Sequence, residues 1–311
     1  MKTAWLFPGQ GAQFVGMGRE LLEASPAARS LFERASAALG ESIGRLVLEG
    51  PEADLTLTAN AQPAIVTTSV AILEAIRERY PALPLPAFAA GHSLGEYSAL
   101  VAAGTLTIED AVRVVRARGR AMQDAVPPGV GAMAAVMSVD PATLEALCRE
   151  GAQGEVVSPA NFNAPGQIVI AGHAGAVARV SELCAREKGK AIPLKVSAPF
   201  HCALMAPAAR VVESELRGLT LRAPAFPVVA NVDAQPNVDP IRTKELLVRQ
   251  VDSPVRWEQA VRFMAEQGVT HALEIGPGKV LAGLARRIAK DLKVLSVSDA
   301  ASLGAIEAFL S

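Results

Sequence analysis

Apolar residues recur along this chain in two rhythms. Short runs rich in apolar residues at 4–7, 87–90, 226–231, 271–275 and 294–297 predict strands, and longer stretches with apolar positions three and four apart predict helices. Residues 63–79 carry such a stripe in Ala64, Val66, Val70, Leu73 and Ile76, with Pro63 placed at the first turn, where its missing N–H costs nothing. Residues 107–125 and 280–289 are helical by the same spacing. Strands and helices in this order predict a large α/β domain.

Between Gly131 and Val196 the rhythm changes. Residues 132–137 predict a strand, 141–150 a helix, 156–161 and 167–171 two strands about Pro165-Gly166, 174–187 a helix and 191–196 a strand. The sum is βαββαβ, a ferredoxin-like arrangement that closes on itself. A small subdomain at residues 128–196 is therefore expected, inserted into a large domain formed by residues 1–127 and 197–311.

Chemistry concentrates where a strand meets a helix. Gly91-His92-Ser93-Leu94-Gly95 follows an apolar strand and opens a helix, the context in which Gly-x-Ser-x-Gly forms a nucleophile elbow; an ordinary turn is the alternative. A serine hydroxyl is a weak nucleophile near neutral pH and needs a base. The chain has four histidines. His92 adjoins the serine in a turn whose neighbouring side chains diverge, His173 lies in a subdomain turn, and His271 precedes a buried-looking strand. His201, just after the insertion, is the candidate base. The acids between Ser93 and His201 fall mostly in amphipathic helices or subdomain loops, so a main-chain carbonyl is the expected acceptor that fixes the imidazole tautomer, giving a Ser-His dyad.

In residues 107–125 the apolar stripe runs Ile108, Ala111, Val115, Met122 and Ala125, and Arg118 occupies the missing place. Burying an uncompensated guanidinium is expensive, so Arg118 should face a carboxylate of the protein or of a ligand, unless its stem snorkels at the stripe's edge. Gly276-Pro277-Gly278-Lys279 lacks the spacing of a phosphate loop and is expected to be a tight turn.

Composition narrows the classes. Thirty Lys and Arg against 31 Asp and Glu give a formal charge of −1, and aromatic residues make up 4% of the 311, which argues against a nucleic-acid or acidic-membrane surface. Cys148, Cys184 and Cys202 have neither disulfide-framework nor zinc-site spacing, and no metal-ligand cluster stands out. No secretory signal or membrane-length apolar run is readable, so a cytoplasmic location is expected.

Five segments together carry a family resemblance: Phe7-Pro8-Gly9-Gln10-Gly11-Ala12-Gln13, residues 91–97 from Gly91 to Tyr97, Arg118-Gly119-Arg120-Ala121-Met122-Gln123, Pro199-Phe200-His201, and Glu274-Ile275-Gly276-Pro277-Gly278-Lys279. In this order, across nearly the whole chain, they resemble the malonyl-CoA:acyl carrier protein transacylases. The resemblance implies a hydrolase-like α/β core with a parallel sheet and a ferredoxin-like insertion. It also implies malonyl transfer from coenzyme A to the phosphopantetheine thiol of acyl carrier protein, without a cofactor, by a monomer.

By the family's pattern Ser93 is the nucleophile and His201 the base, the backbone N–H groups of Gln10 and Leu94 form the oxyanion hole, and Arg118 clamps the malonyl carboxylate. The carbonyl that orients His201 is expected from Ser253, where many relatives carry Asn, with Asp252 as a rival partner. Gln62 and Asn161 match positions near the pocket, though either could simply satisfy local backbone. Phe200 is expected to border the acyl α-carbon, since polyketide relatives with Phe before this His tend to use malonyl and those with Ser often take methylmalonyl. An acidic carrier calls for a local basic patch, for which Arg286, Arg287 and Lys290 are candidates; their alternative role is to complement the helix dipole. Two other functions stay open: an editing hydrolase of acyl-carrier thioesters, which would have little use for Arg118, and a non-catalytic docking subunit, which would not need Ser93 and His201.

Overall fold

The computed structural model describes residues 1–196 and 198–311. Among the described residues ten strands form two sheets: β1 (Lys2–Phe7), β2 (Phe88–Gly91), β3 (Gly131–Met137), β4 (Val157–Ala164), β5 (Gln167–His173), β6 (Lys190–Pro193), β7 (Val228–Val229), β8 (Pro236–Asn237), β9 (Val269–Ile275) and β10 (Lys293–Val297). The larger sheet has the order β10-β9-β1-β2-β7-β8. Its neighbours are parallel except β7 with β8, so the mixed α/β fold has a parallel core sheet with one short antiparallel edge. β1 sits near the centre because Ala4, Trp5, Leu6 and Phe7 are apolar toward both faces, as a strand covered on both sides must be.

The helix Thr58–Arg79 starts five residues earlier than the stripe suggests and holds Pro63 in its second turn. Burial on nearly every side sustains it there, despite the lost N–H at Pro63. Helix Ile108–Asp124 packs beside it at unusually close range, because Gly119 meets the backbone of Thr58 and Ala59; a Cβ at Gly119 would lie 2.6 Å from the Thr58 carbonyl oxygen. That contact brings Arg118 toward the C-terminal ends of β1 and β2.

The smaller sheet, β4-β5-β3-β6, is antiparallel and carries helices Pro141–Ala152 and Ala174–Arg186. It has an apolar cluster of its own that includes Leu144, Ile168, Ile170 and Val180. A two-way backbone link, Val255 N–H to Ala160 O and Phe162 N–H to Val255 O, both 2.9 Å, ties β4 to the larger part. β6 stops at Pro193, earlier than expected; Leu194 keeps one backbone bond to the Met133 carbonyl of β3, and Leu194, Lys195 and Val196 border the cleft between the two sheets. Ser197, where the sequence reading returns the chain to the large domain, lies outside the described residues. The cysteines are free and buried, and no helix of the described residues is long and apolar enough to cross a membrane.

Candidate active site

The cleft, about 360 Å³, is lined on one side by Pro8 to Gln13, His92, Ser93 and Arg118, and on the other by Met133, Asn161, Val169 and Leu194 to Val196. Ser93 stands at its floor on the turn after β2 with φ of +52°, a conformation that bulky residues avoid. Two glycines allow this turn. A Cβ on Gly91 would meet the Gly95 carbonyl at 1.9 Å, and one on Gly95 would meet the Phe7 carbonyl at 2.2 Å. Asn231, buried just past β7, pins the turn from beneath: its Oδ1 accepts from the Ser93 N–H at 2.7 Å and its Nδ2 donates to the Gly91 carbonyl at 2.7 Å.

His201 reaches the same point from a segment with φ of +59°. Its Nε2 is 2.7 Å from Ser93 Oγ, and its Nδ1 is 2.8 Å from the carbonyl oxygen of Gln250. That pair of contacts fits one tautomer, with Nδ1–H donating to the carbonyl and Nε2 accepting the serine proton. Burial, then the nearby Arg118 charge, hold the imidazole down to about 3, against a usual 6.5. The ring is therefore neutral at ordinary pH and able to take a proton.

Arg118 completes the floor. It is only 1% exposed, and its guanidinium donates to Gln62 Oε1 at 2.8 Å, Gln250 Oε1 at 2.9 Å and Ser93 Oγ at 3.1 Å. All three acceptors are neutral, and its Nε finds no partner among the described residues. The Tyr97 ring lies 5.8 Å beneath it. A buried cation beside a serine–histidine pair, with no carboxylate on it among the described residues, can hold an anionic group.

The acyl transferase domain model matches residues 4–308. The malonyl CoA-acyl carrier protein transacylase of Salmonella typhimurium is 48% identical over 97% of this chain and 97% of its own. The chain belongs to this transacylase family. The crystal structure of an acyl carrier protein S-malonyltransferase from Vibrio cholerae superposes with a TM-score of 0.96 at 47% identity, covering 98% of this chain and 100% of that one. A malonyl-transacylase solved in complex with a type II polyketide acyl-carrier protein gives 0.95 at 46% identity, over 98% of both chains. As a member of the family, the protein is an acyltransferase.

Within the transacylase fold, most residues named from the sequence converge. Ser93, His201, Arg118, Gln62, Asn161, Phe200 and Gln10 all border the one cleft. The N–H groups of Gln10 and Leu94 have no hydrogen-bond partner among the described residues. His92 is held away from Ser93 Oγ, its Nε2 on Asn163 Oδ1 at 2.8 Å. His173 accepts the Val156 N–H, and His271 packs on Phe309, so neither joins the site.

One assignment is corrected. The close acceptor for His201 is the carbonyl of Gln250, not that of Ser253, whose backbone acts on the ring more weakly. Helix Pro240–Asp252 ends just beyond Gln250, and the residue four positions on is Pro254, which has no N–H to take up that carbonyl. The freed oxygen faces the imidazole instead. Among the described residues Asp252 makes no hydrogen bond to His201; its Oδ1 accepts from Ser253 Oγ at 3.4 Å.

Arg287, a docking candidate, is already engaged. It donates to Gln167 Oε1 and, at 3.1 Å, to the Pro165 carbonyl, latching helix Val280–Ile288 onto the β4–β5 turn. Arg286 and Lys290 remain exposed. Two residues of the site carry no motif of their own in the sequence reading: Gln250, fully buried, and Asn231.

Proposed function

We propose that the chain transfers a malonyl group from malonyl-CoA to the phosphopantetheine thiol of an acyl carrier protein by a ping-pong reaction through an ester on Ser93. The observation that carries this reading is the position of Ser93 Oγ between His201 Nε2 at 2.7 Å and the Arg118 guanidinium at 3.1 Å. In a malonyl thioester a single carbon separates the carboxylate from the reacting carbonyl. A guanidinium this close to the nucleophile suits that short span, and a longer diacid would overshoot it.

In the first half-reaction Ser93 Oγ attacks the thioester carbonyl as its proton passes to His201 Nε2. The Gln250 carbonyl holds Nδ1–H and supports the imidazolium that forms. The carbonyl oxygen gains charge against the N–H groups of Gln10 and Leu94. Collapse breaks the C–S bond, the proton leaves His201 for the sulfur, and coenzyme A departs. The carrier thiol then gives its proton to His201, attacks the serine ester and takes the malonyl group, and the proton returns to Ser93 Oγ. The substrate carboxylate, on arriving at Arg118, offsets the charge that depresses His201 and so makes it a stronger base at the time it is needed.

Gln62 supports the guanidinium, Asn161 borders the acyl group, and Phe200 narrows the room at its α-carbon. No cofactor is required by this chemistry, and a cytoplasmic monomer with 128–196 as an inserted subdomain is the form proposed. Arg286 and Lys290 offer positive charge for an acidic carrier near the cleft. Malonyl-CoA incubated with the enzyme and carrier should give malonyl-carrier by mass spectrometry; free malonate without malonyl-carrier would point to a hydrolase instead.

A further inference from the structure

Arg118 is a cation buried without an ion pair among the described residues, and Glu96, one turn of helix beyond Ser93, is a carboxylate only 3% exposed that the proposed reaction does not use. The two do not touch. Between them lies the side-chain amide of Gln250, whose Oε1 accepts from Arg118 Nη2 at 2.9 Å and whose Nε2 donates to Glu96 Oε2 at 2.8 Å and to the Ser93 carbonyl at 2.9 Å. Glu96 Oε2 also accepts the Asn231 N–H at 3.0 Å.

We propose that Glu96 is the counter-charge of Arg118, coupled to it through the Gln250 amide, and that it acts as a positioning residue for the guanidinium and for the Ser93 turn. A carboxylate at one end and a guanidinium at the other polarise the amide in the same sense, which strengthens both hydrogen bonds in a low-dielectric interior. The spacer has a purpose. Were Glu96 bonded directly to Arg118, it would occupy the donors a substrate carboxylate needs; one amide away, it compensates the charge and leaves the cleft side of the guanidinium free. Burial raises the Glu96 carboxyl to about 7, with the Gln250 and Asn231 hydrogen bonds and then the Arg118 charge working against it; burial likewise lowers the Arg118 guanidinium, with Tyr97 and then Glu96 working against that. Tyr97 and Asp233 are the other ionisable groups whose fields reach Glu96.

A purely structural Glu96, serving only as acceptor for Asn231 and Gln250, would be replaced by glutamine at equal cost whatever stood at position 118. The test is a double-mutant cycle in the thermal unfolding of the ligand-free protein: E96Q, R118Q and both together. Counter-charge coupling predicts that E96Q lowers Tm by on the order of 5 °C in the wild-type background and by far less beside R118Q. An equal drop in both backgrounds overturns it. If E96Q alone does not accumulate as folded protein, a folded double variant supports the coupling, and failure of both overturns it.

Added malonate should also raise the Tm of E96Q more than that of wild type, since the anion then supplies the missing charge. This second readout rests on the proposed role of Arg118 toward malonyl. A cycle that couples, with malonate stabilising neither protein, would keep the counter-charge and reject the carboxylate clamp.

Discussion

The carbonyl of Gln250, in the last turn of its helix, accepts from His201 Nδ1 at 2.8 Å, and the residue four positions along, Pro254, has no N–H to compete for it. The end of one helix thus offers the imidazole N–H an acceptor without adding a charge to the cleft. Replacing Pro254 by Ala gives position 254 an N–H that competes for the Gln250 carbonyl. We expect kcat to fall several-fold, with KM for malonyl-CoA little changed. Steady-state kinetics of P254A checks this; a change in KM alone would assign Pro254 to substrate binding.

Arg118 should decide between acid-bearing and neutral acyl groups. Losing a charge-assisted pair in a closed site costs about 3–4 kcal/mol, so R118A should reduce kcat/KM for malonyl-CoA on the order of 10²- to 10³-fold. Acetyl-CoA, which has no carboxylate to lose, should be affected far less. Parallel assays with the two thioesters read the split, and undiminished malonyl transfer would remove Arg118 from the binding role.

Phe200 is 9% exposed and borders the cleft beside His201. A methyl branch at the acyl α-carbon is worth about 1–3 kcal/mol in a fitted pocket, so wild type should prefer malonyl- over methylmalonyl-CoA strongly but incompletely. F200S should narrow that preference by about tenfold or more. Competition between the two thioesters, read by mass spectrometry of the carrier, measures it.

His201 should make the protein acid-sensitive in a defined direction. Its folded pKa, about 3, lies below the 6.5 it has when exposed, so below pH 6.5 the unfolded chain binds a proton that the folded site resists. Stability is full above 6.5 and falls as the pH drops from there toward 3. Between pH 6.5 and 4 this single group accounts for on the order of 3 kcal/mol. H201Q, with nothing to protonate, should lose correspondingly less over that interval in urea unfolding series, and parallel losses in the two proteins would contradict the assignment.

The strands, the elbow and the three residues singled out for chemistry, which meet in the cleft, were legible because each has a local signature. Ser93 lies between glycines at a strand-to-helix turn, Arg118 interrupts an apolar stripe, and His201 is the histidine left after the others are given structural places. What escaped depends on contacts far apart in the chain. Asn231 and Gln250 meet the Ser93 turn across 138 and 157 positions. Gln250 did leave a trace: with Thr243, Leu246 and Leu247 it completes the buried face of its helix, a polar residue at a core position as Arg118 is. The extent of β7 and β6 was overread for a related reason: past Val229 and Pro193 single backbone bonds continue, Ala230 N–H to the Gln235 carbonyl and Leu194 N–H to the Met133 carbonyl, but the paired ladder does not.

For carrier docking, the free cations are the ones to reverse. R286E combined with K290E should raise the apparent KM for carrier protein about three- to tenfold at low salt, while serine acylation by malonyl-CoA keeps its rate. Arg287 is left intact, because reversing it would also break its latch to Gln167 and Pro165. An unchanged carrier KM would move the docking surface elsewhere.

The most direct test of the mechanism is the mass of the protein after brief exposure to malonyl-CoA in the absence of carrier. One malonyl unit should appear on each chain, mapped by peptide analysis to Ser93, absent in S93A, and lost again when carrier thiol is added. An enzyme that turns over while Ser93 stays unmodified, with transfer surviving in S93A, would contradict it.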